Sequence, residues 1–593
     1  MKKILTFLIL VVFGGEVFCQ GINITADAYL KATGAATIKI VDGGLIDNGN
    51  YTKGGETVIF SGNTEQTISG SSITEINNLK LENTKGITIV AGKRLTVSGT
   101  LTNSVGIAGL VIQSTSDAAT GTASLKNSTP GVRATVERWM SGDLWHLISP
   151  AATGGEYVAD FVGAAGNLIA KSTKSTTVYG LAPFDEEINR WNYYKSSPDN
   201  ITEVPFGSPG KGFQVLRAKE AGTGKGTPLD ATDDGIVTFK GKLAANDTTI
   251  AITRKSFGWN LIGNPYPCAL DVVKFLNSDG NTQTYDQGID PTSYYAIYVA
   301  EIGNTDDYGY TAVNLSTSPT LELASGEGFF VKSATHNVGA NKTINFTTTM
   351  KTHDSDAFKS AVIQNGFNLI AASGGEKRRT TVKYIPQMTA GLDPGWDAGL
   401  FNNGDETSFN LFTALVEDNG VDFTIQCLPD YDYKNLVVPV GVTAKKDATV
   451  NFSLADVTIP VGYKVFLEDR VNRKFTRLDE QGSVYSVKLN AASAGTGQFF
   501  LHTKQEITGI KDGLSNQFVV IPIPQHNIIR ISGLMNLPAQ ATVYDMNGRT
   551  IAIKNLSGLN ENEIPLQGVS KGFYLIKIKS DKETSQTKFS WSL

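Results

Sequence analysis

An internal duplication between residues 131 and 350 most constrains the fold. The segment Trp145-His146-Leu147-Ile148 returns as Trp259-Asn260-Leu261-Ile262, and Gly212-Phe213-Gln214-Val215 returns as Gly328-Phe329-Phe330-Val331. The spacing from tryptophan to glycine is 67 residues in the first copy and 69 in the second. Large apolar side chains alternate in these segments, as they do in half-buried antiparallel strands. Residues 131–350 are therefore predicted to form duplicated β-sandwich modules, with the tryptophan of each copy in the core.

A third, weaker copy of the pattern begins at Gly366–Ala372, and its counterpart, Gly497–Leu501, comes much later. Residues 351–505 are accordingly predicted to be a third β-sandwich module. Turn residues and charges after it suggest a linker at 506–516, and the last part of the chain, 517–593, is long enough for a small β-domain with its own core.

The N-terminal region, residues 20–130, consists of short predicted strands separated by turn residues. Three of these strands end in Ser-Gly, at Ser61-Gly62, Ser69-Gly70 and Ser98-Gly99. A glycine after a strand lets the backbone turn a corner at little steric cost. Repeated units of strand and corner favour an irregular, stacked β-solenoid, in which each rung covers its neighbour. Because the repeat is irregular, a β-sandwich stays open for this region.

The first 19 residues have the pattern of a signal peptide. Lys2 and Lys3 precede an apolar run that is too short to cross a bilayer as a stable helix. The predicted cleavage lies between Cys19 and Gln20, because Val17 and Cys19 are small enough for positions −3 and −1. A lipoprotein with a lipidated Cys19 is the alternative. After this segment the sequence has no stretch of ~18 apolar residues, so no transmembrane helix is expected.

Composition narrows the class of protein further. Charged residues make up 18% of the chain, 61 residues are glycine, and the formal net charge is −5. This mixture favours strands and turns, so the chain is predicted to be all-β. A mildly acidic chain without a basic stripe is a poor nucleic-acid binder. After the predicted cleavage only Cys268 and Cys427 remain, either as free thiols or as one disulfide, and two cysteines have no metal-site spacing.

The C-terminal segment resembles the type A sorting domain of the type IX secretion system of Bacteroidetes. Four stretches match the family's pattern, although the usual Asn before the first proline is Ile523 here. The first stretch is Ile521-Pro522-Ile523-Pro524 with Ile528–Ile531, and the second is Ala541–Arg549, which contains Asp545, Gly548 and Arg549. The third is Gly572–Ile578, which contains Tyr574, and the fourth is the basic-then-apolar end that starts at Lys588. Asn547-Gly548 also suits a tight hairpin turn.

The resemblance implies contact with the type IX secretion machinery and transport through the outer membrane. It also implies removal of this domain and attachment of the remainder to surface lipopolysaccharide. The chain is thus expected on the outer cell surface or outside the cell. The strand repeats and the tryptophan motifs are similar to large surface proteins of the same bacteria, which indicates architecture and location but no activity.

The search for chemistry yields few candidates. Asp393 and Asp397 flank a compact turn, and their oxygen ligands could hold Ca²⁺; the alternative is that they cap their own turn. Asp185, Glu186 and Glu187 precede Trp191, which suggests acids beside a sugar-stacking ring, or else a solvated turn beside a packing ring. No other cofactor is indicated.

We therefore expect a non-catalytic surface protein with an adhesive or structural role. A glycan-binding accessory protein and a polysaccharide-active enzyme built on the β-solenoid are the alternatives. An adhesive protein or a glycan-binding accessory protein would have a glycan or another protein as its ligand.

Overall fold

A computed structural model describes most of the chain as strands. The chain divides into two compact units, unit 1 (Met1–Val362 with Pro394–Asp405) and unit 2 (Ile363–Asp393 with Glu406–Leu593). Within the described residues, no helix is long and apolar enough to cross a membrane. The residues that the structure describes are 10–13, 16–116, 121–140, 145–172, 174–175, 177–218, 235–278, 280–282, 288–300, 309–317, 322–337, 341–353, 365–401, 409–415, 421–430, 433, 436–490, 492–505, 519–524, 527–532, 538–557, 561–580 and 584–591.

Unit 1 begins with a three-sided β-solenoid, so the sandwich alternative for this region is wrong. Successive strands occupy the three sides in turn, and every pair of neighbours within a side is parallel. The strands are β1 (Leu10–Phe13), β2 (Glu16–Cys19), β3 (Ile22–Ile24), β4 (Tyr29–Thr33), β5 (Thr37–Val41), β6 (Leu45–Asp47), β7 (Asn50–Thr52), β8 (Thr57–Ser61), β9 (Gln66–Ser69), β10 (Ile73–Ile76), β11 (Asn78–Leu81), β12 (Ile87–Ile89), β13 (Arg94–Val97), β14 (Leu101–Asn103), β15 (Leu110–Ile112) and β16 (Ser124–Asn127).

Aliphatic side chains stack in register along the inside of the solenoid. Pairing places the same kind of residue above its equivalent in the next rung, and the stacked side chains are almost completely buried. Because successive residues of a strand point to opposite faces, every second position can join such a stack. Two of the stacks are Ile38, Val58, Leu79 and Leu101, and Leu45, Ile68, Ile89 and Ile112.

Buried polar side chains hold the corners of the solenoid. Glu56 accepts hydrogen bonds from the Tyr51 hydroxyl (3.1 Å) and from the backbone of Gly54 (2.6 Å) and Asn77 (3.0 Å). The corner glycine Gly70 has φ +105°, and a Cβ there would lie 2.2 Å from the carbonyl oxygen of Asp47. The Ser-Gly corner at Gly70 is therefore a position where a side chain does not fit.

The duplicated region follows within unit 1, and it contains two short α-helices. The elements are β17 (Arg133–Trp139), β18 (Trp145–Ile148), β19 (Ala152–Gly154), α1 (Val158–Gly163), β20 (Leu181–Ala182), β21 (Phe184–Asp185), β22 (Arg190–Trp191), β23 (Phe213–Leu216), β24 (Ile236–Leu243), β25 (Thr248–Thr253), β26 (Trp259–Gly263), β27 (Ala269–Asp271), α2 (Val272–Leu276), β28 (Ile297–Ala300), β29 (Tyr310–Val313), β30 (Glu322–Leu323), β31 (Gly328–Lys332), β32 (Asn341–Phe346) and β33 (Lys351–Thr352).

The two copies, residues 133–243 (copy 1) and 248–346 (copy 2), pair their strands in the same way. In each copy the first strand is antiparallel to the last, β17 with β24 and β25 with β32. The tryptophan strand is antiparallel to the glycine-phenylalanine strand, β18 with β23 and β26 with β31. In copy 1, β17 also lies parallel to β15, so the third side of the solenoid continues into the duplicated region.

An asparagine clamp that the sequence comparison missed is also duplicated. Asn167 donates from Nδ2 to the carbonyl of Phe161 in α1 (2.9 Å) and accepts from the backbone of Thr238 in β24 (2.9 Å). In copy 2, Asn281 donates to the carbonyl of Phe275 in α2 (2.9 Å) and accepts from the backbone of Asn345 in β32 (2.8 Å). Each clamp ties the helix of its copy to that copy's last strand.

The two copies contact each other reciprocally. The backbone of Ser149 donates to Gly326 of copy 2 (2.9 Å), and the backbone of Gly263 donates to Gly210 of copy 1 (2.9 Å). These four residues occupy equivalent positions in the two repeats. A Cβ on Gly328 would lie 2.9 Å from the backbone nitrogen and oxygen of Ile148, so the copies approach backbone to backbone.

Unit 2 contains one large sheet and the C-terminal domain. In the third weaker copy of the sequence pattern, β34 pairs with β35 and β40, whereas Gly497–Leu501 lies in β44, which pairs with β39 and β41. The pairing that defines copies 1 and 2 is thus not repeated. The strands are β34 (Asn365–Ser373), β35 (Glu376–Ile385), β36 (Ala398–Gly399, in unit 1), β37 (Asn410–Ala414), β38 (Asp422–Pro429), β39 (Val437–Ala444), β40 (Thr449–Thr458), β41 (Tyr463–Asp469), β42 (Lys474–Arg477), β43 (Tyr485–Lys488) and β44 (Ser493–Gln505).

The C-terminal domain consists of two antiparallel sheets around a small apolar core. The sheet orders are β45-β46-β49 and β48-β47-β50-β51. Ile529, Ile576 and Trp591 are among the buried core residues. The predicted linker, 506–516, lies outside the described residues. The strands are β45 (Val519–Ile523), β46 (Ile528–Ser532), β47 (Ala539–Asp545), β48 (Thr550–Leu556), β49 (Glu561–Pro565), β50 (Gly572–Ser580) and β51 (Thr584–Trp591).

Substituting Gly328 by Ala tests the close approach of the two copies. The added methyl group would collide with the backbone of Ile148, and forced overpacking of this kind costs ~1–3 kcal/mol of unfolding free energy. Gly163→Ala is the matched control, because apart from its chain neighbours and its own helix backbone no atom lies within 4 Å of the position of its Cβ. Urea denaturation of the two purified variants should show a lower midpoint for Gly328→Ala alone, and equal midpoints would contradict the contact.

Candidate functional site

The acidic loop ahead of Trp191 holds the two copies together. Glu186 belongs to copy 1, yet its carboxylate accepts four hydrogen bonds from the loop that precedes the tryptophan strand of copy 2. Neighbouring Glu187 is exposed and forms an ion pair with Lys255 (2.9 Å). The four donors to Glu186 are the Thr253 hydroxyl (3.1 Å) and the backbone of Lys255 (2.8 Å), Ser256 (2.9 Å) and Gly258 (2.7 Å).

These bonds determine the charge of Glu186. Burial alone would raise the pKa of this carboxyl, but the three backbone N–H groups and the Thr253 hydroxyl outweigh it and hold the pKa below its usual value. Glu186 is 6% exposed and ionised at neutral pH. An acid with every lone-pair direction occupied by its own protein is poorly suited to protonate or attack a sugar.

The tryptophans of the duplicated motif differ in exposure. Trp259 is completely buried, as its strand motif predicts, and the ring of Phe401 packs against it at 4.5 Å between centroids. The ammonium group of Lys332 lies 4.8 Å from the Trp259 ring and 3.8 Å from the Tyr294 ring. Burial lowers the pKa of Lys332 to about 8. The aromatic face of copy 2 is therefore filled by the chain's own side chains.

Copy 1 leaves the equivalent aromatic face partly open. Trp145 is half-buried, which corrects the expectation that it belongs to the core, and its ring lies 5.8 Å from that of Tyr193. Trp191 instead packs edge-on against Phe184 (5.2 Å) and Phe330 (5.8 Å). Trp191 thus serves the contact between copies, whereas Trp145 and Tyr193 keep ring surface in contact with solvent.

His353 ties the end of the duplicated region to the solenoid. Its Nε2 lies 2.7 Å from the Thr96 hydroxyl and its Nδ1 lies 2.9 Å from the Ser124 hydroxyl. Burial, with added repulsion from Lys126, lowers the pKa of His353 to about 3, so the ring is neutral at ordinary pH. Nothing in the local sequence marks this histidine, because its partners lie more than 200 residues away.

The two aspartates of the calcium hypothesis have different surroundings. Asp393 accepts from the backbone (2.7 Å) and the hydroxyl (3.2 Å) of Thr389, which is the turn-capping alternative. Asp397 is completely buried. Among the described residues, no group of three or more His, Cys, Asp or Glu side chains is placed to hold a metal ion. Calcium binding at Asp393 and Asp397 stays a prediction.

The cysteines occupy three separate places. Cys19 ends β2 and is half-buried, and Gln20 after it is exposed. Cleavage between them stays a prediction; it would remove β1 and β2 from the solenoid sheets. Cys268 and Cys427 are buried free thiols, so the disulfide alternative is wrong for this structure.

The predicted turn of the sorting motif is a self-contained loop. Asp545 accepts from the backbone of Asn547 (3.0 Å) and Arg549 (2.8 Å), and the Arg549 guanidinium donates to its second oxygen (3.1 Å). The backbone bond from Arg549 contributes most to keeping the pKa of Asp545 below its usual value. Gly548 has φ +81°, the left-handed conformation that the Asn-Gly pair predicts.

The other residues of the sorting motif lie at the ends of strands or in the core. Pro524 follows β45, an edge strand, and its carbonyl accepts from Asn527 (3.1 Å). Tyr574 is buried, donates to the Ser570 carbonyl (2.7 Å) and stacks on Phe589. Gly572 pairs with Trp591, and a Cβ there would meet only ordinary contacts. Lys588 lies with its ammonium 4.5 Å from the exposed Phe573 ring.

A known protein family matches most of this architecture. The model of the domain of unknown function DUF8693 matches residues 51–496, three quarters of the chain. The chain belongs to this family. The match covers the solenoid from β7 onward, both copies of the duplication and most of the large sheet of unit 2.

A second family model identifies the C-terminal domain of this DUF8693 protein. The secretion system C-terminal sorting domain matches residues 519–591, which confirms the resemblance found in the sequence. The protein is sorted by the type IX secretion system in the manner of Bacteroidetes proteins and so contacts that machinery. Export takes it to the cell surface or the extracellular space.

The remaining comparisons are distant. No curated protein matches the chain. Among solved structures, a polysaccharide lyase is similar with 12% sequence identity, 38% of this chain and 39% of that chain covered, and a TM-score of 0.13. The DUF8693 chain thus spans well under half the length of that enzyme, and a likeness this weak supports no statement about activity.

The Glu186 contact predicts a pH-dependent stability. A carboxyl whose pKa is lower in the folded than in the unfolded state stabilises the fold above the ordinary pKa of 4.5, and this contribution is lost as the pH falls below that value. In Glu186→Gln an NH2 group replaces an oxygen that accepts from at least one backbone N–H, so that donor loses its acceptor, and the change should cost ~1–3 kcal/mol at pH 7. Because the variant lacks the titrating group, the difference in unfolding free energy between wild type and the variant should shrink as the pH falls from 5 to 3.

Glu187→Gln is the matched control for this prediction. Its carboxylate is exposed and makes one surface ion pair, so the change should alter stability by less than about 1 kcal/mol. Urea denaturation at several pH values measures all three proteins. A constant deficit for Glu186→Gln across that pH range would contradict the assigned charge.

Proposed function

We propose that the exported DUF8693 protein acts without catalysis, as an adhesive or structural component of the bacterial surface. The observation that carries this proposal is the use of Glu186, the best-placed acid beside an aromatic ring, as a four-bond clamp between the two copies. Trp191 beside it packs on Phe330. Residues that the sequence offers for sugar chemistry are thereby committed to holding the fold together.

The solenoid supports the same proposal. An enzyme built on such a solenoid would need charged groups that reach substrate in a groove. Lys93, one half of the basic pair Lys93-Arg94, is 1% exposed and donates to the carbonyl of Ser72 (2.8 Å). Burial lowers the pKa of Lys93 to about 8, but the group faces the interior, where substrate does not reach. The hydrogen bond of this lysine stabilises the corner between two rungs.

Glycan binding is the second candidate, and one observation favours it. Trp145 and Tyr193 present ring surface to solvent in copy 1, whereas Phe401 packs on Trp259, the equivalent tryptophan of copy 2. Aromatic rings of this kind stack on the apolar faces of sugars. A glycan array with the secreted protein separates the candidates. Binding that Trp145→Ala abolishes and Tyr157→Ala, a control at another exposed ring, retains would establish a glycan-binding role.

Turnover of any arrayed polysaccharide, measured as released reducing ends or unsaturated products, would overturn the non-catalytic proposal.

Attachment to lipopolysaccharide after loss of the C-terminal domain is part of the same proposal. Surface protein should then lack residues 519–593 by mass spectrometry and should migrate as a broadened, heavier species. A single sharp species of the polypeptide mass would contradict the attachment.

Removing residues 519–593 tests the route to the surface. The rest of the chain keeps its own cores, so the truncated protein should fold but remain in the periplasm. Cell fractionation with surface protease digestion measures the outcome, and the full-length chain expressed at the same level is the control. Truncated protein that reached the surface as efficiently as the full chain would sink the assignment of this domain as the sorting signal.

A further inference from the structure

The sorting domain has one sheet with two unlike faces. In β50, the residues Tyr574, Ile576 and Ile578 point into the core. The alternate residues Phe573, Leu575 and Lys577 therefore lie on the opposite face, because side chains alternate along a strand. Strand β51 adds Lys588, which is directly opposite Leu575, and β47 adds Tyr544 on the other side of Leu575. We call this set the outer face.

The outer face combines an exposed aromatic ring with positive charge. Phe573 is 57% exposed, and Lys588 holds its ammonium 4.5 Å from the ring. Lys577 and Lys579 continue the same face, and none of these three lysines forms an ion pair within the described residues of the domain. Residues 519–591 contain eight Lys and Arg against five Asp and Glu, although the whole chain is acidic.

Two of the five acids of the domain are used elsewhere. Asp545 binds Arg549 within its own turn, and Glu563 pairs with Arg530 on the other sheet (3.0 Å). The turn of the sorting motif is thus internally satisfied and offers a partner little. An exposed aromatic ring is the kind of side chain that anchors a binding hot spot, and lysines that the described acids do not neutralise add positive charge around it.

We propose that the outer face is the surface by which the export machinery holds this domain. The receptor that fits it has an apolar pocket for Phe573 and acidic groups beside the pocket for Lys577 and Lys588. Like charges would repel other basic surfaces and opposite charges would steer the encounter. The inference rests on the role of residues 519–591 in export. It adds which face of the domain the receptor binds and which chemical groups of the receptor bind it.

The test uses the full-length chain in cells that secrete it. Phe573→Ala, Lys577→Glu and Lys588→Glu should each lower the surface-exposed fraction at least roughly tenfold, as expected when a central contact of an interface is lost, with the protein accumulating in the periplasm. Phe573→Tyr and Lys588→Arg keep the ring and the charge and should be exported as wild type. Surface protease digestion and immunoblotting of fractions give the measurement.

Two controls match the changes in exposure and charge. Met546→Ala removes an apolar side chain that is 59% exposed in the turn of the same domain, and Lys474→Glu makes the same charge change on the exposed strand β42 of the large sheet. Both should be exported normally. Because Lys577 is exposed, Lys577→Glu leaves the core intact and reports on recognition even if truncating Phe573 weakened the domain.

The outcomes distinguish the role of the outer face from the sorting role of residues 519–591. If Phe573→Ala and Lys577→Glu were exported like wild type while deletion of residues 519–593 still blocked export, the outer face would be wrong and the sorting role would stand. If the deletion were exported too, the sorting role itself would fail. Equal loss for Met546→Ala would also overturn the outer face, because export would then depend on no particular surface.

Discussion

Parallel pairing between β15 and β17 is the contact on which the organisation of unit 1 depends. It places the first strand of copy 1 in line with the aliphatic stacks of the solenoid, with Val136 next after Ile112. Strand β17 then pairs with β24, so the edge at which the third side of the solenoid ends is covered by the duplicated region. An uncovered row of backbone N–H and C=O groups at this end would invite pairing with other chains.

The duplicated region in turn depends on glycine. Gly263 and Gly328 let the backbones of the two copies meet, and Glu186 fastens copy 1 to the loop ahead of Trp259. Once these contacts exist, the aromatic rings of copy 2 are enclosed by Phe401 and Lys332. The polar and aromatic residues that the sequence offers for chemistry are thus mostly those that the packing of two similar modules requires.

The sequence predicted the repeated strand motifs at Trp145–Ile148 and Gly212–Val215 and their echo in copy 2, because alternating apolar residues return there at matched spacing. Which of these strands pair is known only from the structure. The sequence also predicted the solenoid corners and the Asp545–Arg549 turn, which depend on local backbone conformation. It did not predict the clamp of Asn167 and Asn281, the bridge of His353 to Thr96, or the four bonds of Glu186. Those contacts join residues from 6 to more than 200 positions apart, and their geometry exists only after folding. In the weak third copy the two motif strands pair with other neighbours than in copies 1 and 2, since a short motif such as Phe367–Ile370 does not determine which strand becomes its neighbour.

The reciprocal bonds between Ser149 and Gly326, and between Gly263 and Gly210, carry an evolutionary consequence. Equivalent residues contact each other in both directions, which is the contact pattern of a symmetric homodimer. Two identical subunits related by a twofold axis would form this interface before any duplication. Fusion of their genes would then have freed each half to diverge, and the closed aromatic face around Trp259 and the open one around Trp145 differ in a way that two identical subunits could not.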